Sequence, residues 1–197
     1  MKKELILTIL TFLVLVSGLM GFQKLHPAKN NSQQDSIDEA SKHASIMLEL
    51  RNWVLRFTPD SLGLNVSSDE EVYGVIMDWH LTHRTITLTS FKDGGASIYS
   101  QVGQSFMGGG EKIGEAAKKY VHFAQSCLAD AVRTDSTPLP GNDGVNFYLL
   151  TTKGIFTKQL TYTFLQNTSS SWRELFNEAN NVIHEYDLGT RTNPKRK

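Results

Sequence analysis

Val72-Tyr73-Gly74-Val75-Ile76-Met77-Asp78-Trp79 is the stretch on which the fold turns. It is rich in β-branched and aromatic side chains and nearly apolar on both faces, the pattern of an interior strand covered from two sides. Arg84-Thr85-Ile86-Thr87-Leu88-Thr89-Ser90-Phe91 alternates instead, so Ile86 and Leu88 are expected on one side and the threonines on the other, with one face wet or half-buried. Asp93-Gly94 is a two-residue turn signal, and Ala96-Ser97-Ile98-Tyr99 beyond it completes a three-stranded meander.

Towards the C-terminus, Gln101 to Gly110 contains Gly103, Gly108, Gly109 and Gly110, and a helix is predicted to begin at about Glu111. Its apolar stripe runs through Ile113, Ala116, Ala117, Tyr120, Ala124, Cys127, Leu128 and Ala131. Residues 133–144, with Pro138, Pro140, Gly141 and Gly144, read as loop. Val145 to Thr151 and Ile155 to Tyr162 flank Lys153-Gly154 as a second hairpin. Ser171 and Glu174 have capping-box spacing before a helix carried by Trp172, Leu175, Phe176, Ala179, Val182, Ile183 and Tyr186, with Gly189 as its stop. Towards the N-terminus, Ser36 and Glu39 have the same spacing, and Ile37, Ala40, Ala44, Met47, Leu50, Val54 and Phe57 recur at helical steps until Thr58-Pro59-Asp60. The order helix, three strands, helix, two strands, helix predicts a single α+β domain over residues 36–190, with a mostly antiparallel five-stranded sheet and helices packed on it. That order is shared with profilin-like and roadblock-like layouts, an analogy that implies no function.

The run VYGVIMDW, the phrase DGGASIY, the glycine cluster opening a helix and NFYLLTTKGIF together resemble a family of small bacterial proteins of unknown function. The resemblance spans about Arg51 to Tyr186. It implies no activity, and no catalytic residue follows from it.

Outside the domain, Met1-Lys2-Lys3-Glu4 precedes an apolar run from Leu5 to Phe22, the grammar of a signal peptide or an N-terminal membrane anchor. A helix of that length measures about 27 Å, close to the hydrocarbon core of a bilayer, so length alone does not separate the two. Lys2 and Lys3 would hold their end in the cytoplasm and send the rest across. The expectation is therefore residues 1–22 as signal or anchor, 23–35 as a polar linker, 191–197 as a basic tail, and an extracytoplasmic location in the cell envelope. The membrane is the expected partner through the N-terminal segment, with an envelope protein as a possible second. Twenty basic and twenty acidic residues cancel, so no global field exists to hold a nucleic acid. Cys127 is the lone cysteine, which rules out an intrachain disulfide and leaves the fold to its core.

The glycine cluster is the most suggestive chemical feature, because free N–H groups at a helix start can hold an anion and glycine admits a ligand closely. Gly108, Gly109 and Gly110 are accordingly the candidate ligand-binding residues, with a bent connector as the competing and preferred reading, since Glu111 already complements the helix dipole. No phosphate-loop, dinucleotide or nucleophile-elbow pattern occurs. Asp78, His80 and His83 lie close together, but their spacing is not a metal-ligand pattern, so neither metal nor cofactor is expected. The sequence thus favours a binding or interaction module of the cell envelope over an enzyme, the alternative being a small extracytoplasmic enzyme with its site in the loop from Gly103 to Glu111.

Overall fold

The computed structural model describes residues 32–192, apart from 104 and 109. Within them, the residues from Asp38 onward form one compact unit. Helix α1 (Ser32–Val54) begins upstream of Ser36, so Ser36 and Glu39 lie inside the helix and form no cap. Thr58 instead caps a four-residue helix α2 (Pro59–Leu62), exchanging hydrogen bonds with Ser61. Proline at the first helical position suits that start, because its missing N–H would have no partner there.

Strands β1 (Gly74–Leu81), β2 (Arg84–Phe91) and β3 (Ala96–Ser100) form the expected meander. Strand β4 (Ser105–Met107) then folds back onto β3 before helix α3 (Glu111–Cys127). A short 3-10 turn (Leu128–Asp130) leads into β5 (Val132–Thr134), which pairs with the later strand β7. The hairpin of β6 (Gly144–Thr151) and β7 (Gly154–Thr161), a five-residue helix α4 (Tyr162–Gln166) and helix α5 (Ser171–Thr192) complete the chain. Helix α5 runs through Gly189 rather than stopping there.

The sheet is antiparallel throughout and has seven strands in the order β4-β3-β2-β1-β6-β7-β5. The expected five-stranded sheet, and the profilin-like or roadblock-like layout drawn from it, do not hold. The two additional strands are three residues each and sit at the two edges. They exist because β3 and β7 offer open hydrogen-bonding edges, and segments so short carry no readable period of their own.

Both faces of the sheet are covered. One face packs Val75, Met77, Leu88, Phe147 and Leu149 against α3 and α5, which lie against each other, and Cys127 is fully buried in this core. The other face packs Ile76, Phe91, Tyr99, Tyr148 and Leu150 against Met47, Leu50, Trp53 and Val54 of α1. The threonines of β2 look towards α1. Thr85, Thr87 and Thr89 are at most 2% exposed, so neither face of the meander is wet.

At the turn between β2 and β3, Gly94 has φ of +93°, and a Cβ there would stand 2.9 Å from the Gly114 carbonyl oxygen of α3. Glycine thus allows both the turn and the close approach of α3 to it. Gly94→Ala is expected to lower stability by about 1 to 3 kcal/mol, since the strained φ and the backbone contact add. Urea unfolding measures it, and an unchanged midpoint would show that the turn yields freely.

Among the described residues no helix is long and apolar enough to cross a membrane. Each long helix buries one face and keeps charged groups such as Glu49, Lys119 and Glu185 along the rest. Nothing among the described residues can therefore serve as the transmembrane helix, and the membrane-anchored envelope module, the membrane and envelope partners and the extracytoplasmic placement have no helix there to rest on. The apolar run from Leu5 to Phe22 lies outside the described residues.

Candidate functional site

Among the described residues the fold builds a sealed polar cluster and, on its surface, open polar clefts. The sealed one lies between α1 and the sheet. Arg51, 2% exposed, donates from Nε (2.8 Å) and Nη2 (2.6 Å) to Oδ2 of Asp78, which is fully buried. Thr87 donates to the other carboxylate oxygen at 2.5 Å, and Arg51 Nη2 also reaches the Thr137 carbonyl at 2.9 Å. The guanidinium lies over the Tyr148 ring, 5.3 Å from its centroid. Burial pushes the Asp78 carboxyl up, against the opposing pull of Arg51 and Thr87. Arg51 and Asp78 are partnered with each other and buried, so the cluster joins α1 to the sheet and offers a ligand no open face.

Next to it, Asn146 and Tyr148 both donate to the Pro138 carbonyl, at 3.1 and 2.5 Å, and Thr89, Ser97 and Tyr99 form a hydroxyl chain. These bonds explain how a sheet face with so many polar side chains can lie under a helix.

The open constellation is a cleft of about 470 Å³ bounded by the loop before β1, the turn after β2 and the outer face of α3. Lys118, His122 and Gln125 occupy one stripe of α3, and Val121 beneath them belongs to the core. Gln125 fastens the loop to the helix: its Oε1 accepts from the Val72 N–H at 2.8 Å and its Nε2 donates to the Glu70 carbonyl at 3.2 Å. Across the cleft, the Glu71 carboxylate accepts hydrogen bonds from the Ser67 N–H, from the Ser67 hydroxyl at 2.6 Å and from Lys92 Nζ. The Lys92 ammonium beside it, with help from Ser67, lowers the Glu71 pKa to about 2. Lys92 Nζ also donates to the Asn65 carbonyl at 3.0 Å, so one ammonium holds two points of the loop. Lys92, Lys118 and His122 are exposed, and His122 makes no hydrogen bond among the described residues.

A second cleft, of about 460 Å³, lies on the other side of the same loop. It is lined by the hydroxyls of Thr58, Tyr73, Thr151 and Thr152, with Asp60 as its one carboxylate.

The residues singled out from sequence fall elsewhere. Gly108 has φ of +74° and Gly110 caps α3 in an extended conformation without a side-chain hydrogen bond, while Gly109 is outside the described residues. No group lies within 4 Å of where a Cβ would stand on Gly108 or Gly110, so no side chain converges on them, and neither cleft is lined by this loop. Asp78 is committed to Arg51, His80 Nδ1 lies 3.3 Å from the Thr85 hydroxyl, and His83 is exposed in the β1–β2 turn. Among the described residues no three His, Cys, Asp or Glu side chains are placed to hold a metal ion. Burial pushes the Cys127 thiol up, and its partners are the serines Ser171 and Ser126, with no histidine among them.

The cleft residues escape a linear reading because Glu71, Lys92 and Lys118 come from three separate elements. The one available signal was that Lys118, His122 and Gln125 share the exposed side of a helix whose other side is apolar. Comparison with protein-family models, with characterised proteins and with solved structures finds no match to this chain, so its site rests on its own geometry.

Proposed function

We propose that this chain is a binding domain for a small anionic ligand, taken in the cleft between α3, the β2–β3 turn and the loop before β1. One observation carries the reading: two ammonium groups and an imidazole, from Lys92, Lys118 and His122, line a cleft that holds a single carboxylate, Glu71. Its volume of about 470 Å³ falls within the range of about 300–1,000 Å³ common to small-molecule sites. The wall is held by Gln125 and Lys92, so the cleft exists before a ligand arrives, and little ordering is needed on binding. No hydrogen bond joins His122 to either serine of the cleft, which supports binding over nucleophilic chemistry.

The test is titration of the full-length chain with inorganic phosphate and with succinate, followed through the amide resonances of Lys92, Lys118 and His122. Saturable shifts are expected. The double substitution Lys118→Ala with His122→Ala should weaken binding about tenfold, the loss of roughly 0.7 kcal/mol from each exposed group, without moving the melting temperature. Resonances that stay fixed up to molar anion would sink the reading.

A further inference from the structure

We infer that Glu71 is a built-in stand-in for the ligand, and that the anionic group recognised by the cleft is a carboxylate that takes its place. The inference rests on the anionic-ligand reading of the same cleft. A carboxylate is already seated there, because Glu71 receives the Ser67 N–H, the Ser67 hydroxyl and the Lys92 ammonium. One backbone donor, one hydroxyl and one cation around two oxygens form a cradle of the kind that recognises carboxylates, with charge-assisted bonds as its strongest elements. The Glu71 side chain is 18% exposed and opens into the cleft, so a ligand can reach the cradle that it fills. Once evicted, Glu71 can turn to solvent. The incoming carboxylate then keeps Ser67 and Lys92 satisfied, while Lys118 and His122, opposite, contact the rest of the molecule.

The exchange has a cost that sets its sign. Glu71 competes with every ligand for the same donors and repels it as a like charge, so the wild-type cleft binds weakly and selectively. Removing Glu71 removes both effects, whereas Glu71→Gln removes the charge but leaves an amide oxygen able to occupy the cradle.

Full-length wild type, Glu71→Ala and Glu71→Gln are each titrated with acetate, followed by the amide resonances of Ser67, Lys92, Lys118 and His122. Acetate should bind Glu71→Ala at least tenfold more tightly than wild type and return the Ser67 amide to its wild-type position. In Glu71→Gln the gain should be smaller, and the side-chain amide resonances of the introduced glutamine should move as it is displaced. That second signal keeps the test decisive if Glu71→Ala fails to fold. Shifts at Lys118 and His122 while Ser67 and the glutamine amide stay fixed would overturn the stand-in and leave the anionic cleft intact. No response in any of the three proteins would overturn both.

Discussion

Asp78→Ala should destabilise the domain by about 3 to 5 kcal/mol, the usual cost of removing one partner from a sealed ion pair. The substitution leaves the Arg51 guanidinium buried with only the Thr137 carbonyl and the Tyr148 ring for company, and strips Thr87 of its acceptor. Water cannot follow, because Arg51 is 2% exposed and Asp78 has no accessible surface. The pair itself is worth much less than its loss. Burial already works against the charged carboxylate, so the attraction of Arg51 goes largely into offsetting desolvation. The double substitution Arg51→Met with Asp78→Leu should therefore recover most of the deficit, ending within about 2 kcal/mol of wild type. Urea unfolding of Arg51→Met, Asp78→Leu and the double closes the cycle, with Asp78→Ala measured beside it. A cost below about 1 kcal/mol for Asp78→Ala would mean that α1 lifts readily and lets solvent in.

Phe176→Ala should cost about 3 to 5 kcal/mol, from the lost transfer energy and the cavity left behind. Phe176 is 6% exposed and forms a three-ring cluster with Trp79 of β1 and Tyr162 of α4, at centroid distances of 5.0 and 5.7 Å. Trp79 and Tyr162 are themselves 5.1 Å apart, so removing the third ring unseats both. Edge-to-face contact with Trp79 adds roughly 0.5 to 1.5 kcal/mol beyond area burial. Denaturant unfolding reads the loss, and a change under about 1 kcal/mol would show that the α5 stripe is not a true anchor.

The parts of the fold that could be read from sequence are those whose side chains repeat with a period. The meander of β1 to β3, the β6–β7 hairpin and the stripes of α1, α3 and α5 each expose a pattern long enough to be distinguished from chance. Strands β4 and β5 are made by pairing alone, and nothing in Ser105–Met107 or Val132–Thr134 announces it. The threonine face of β2 misleads for a related reason. Alternation predicts water opposite Ile86 and Leu88, but Arg51, 27 positions before Asp78, supplies the charge that lets a helix lie there. Gly189 reads as a stop, yet the helix passes through it. The candidate site was the least legible part. Three adjacent glycines attract attention in a linear reading, whereas Lys92 and Lys118 acquire meaning only when the β2–β3 turn meets α3 at Gly94 and Gly114.

The position of β1 also bears on how the chain reaches this structure. Strands β4, β3, β2 and β1 on one side, and β6 and β7 on the other, are joined locally by turns, but the two groups meet along a single seam, with Gly74 opposite Leu150 and Trp79 opposite Val145. Closing that seam means bringing together strands separated by roughly sixty residues, an entropic debt due before any of the seam's contacts form. The hairpins are therefore expected to appear early, within microseconds, and the seam late, with the overall rate set by the long-range step. Val75, Met77, Phe147 and Leu149 line that seam within the core, so truncating them should slow folding, whereas truncations at the far ends of the sheet should mainly speed unfolding.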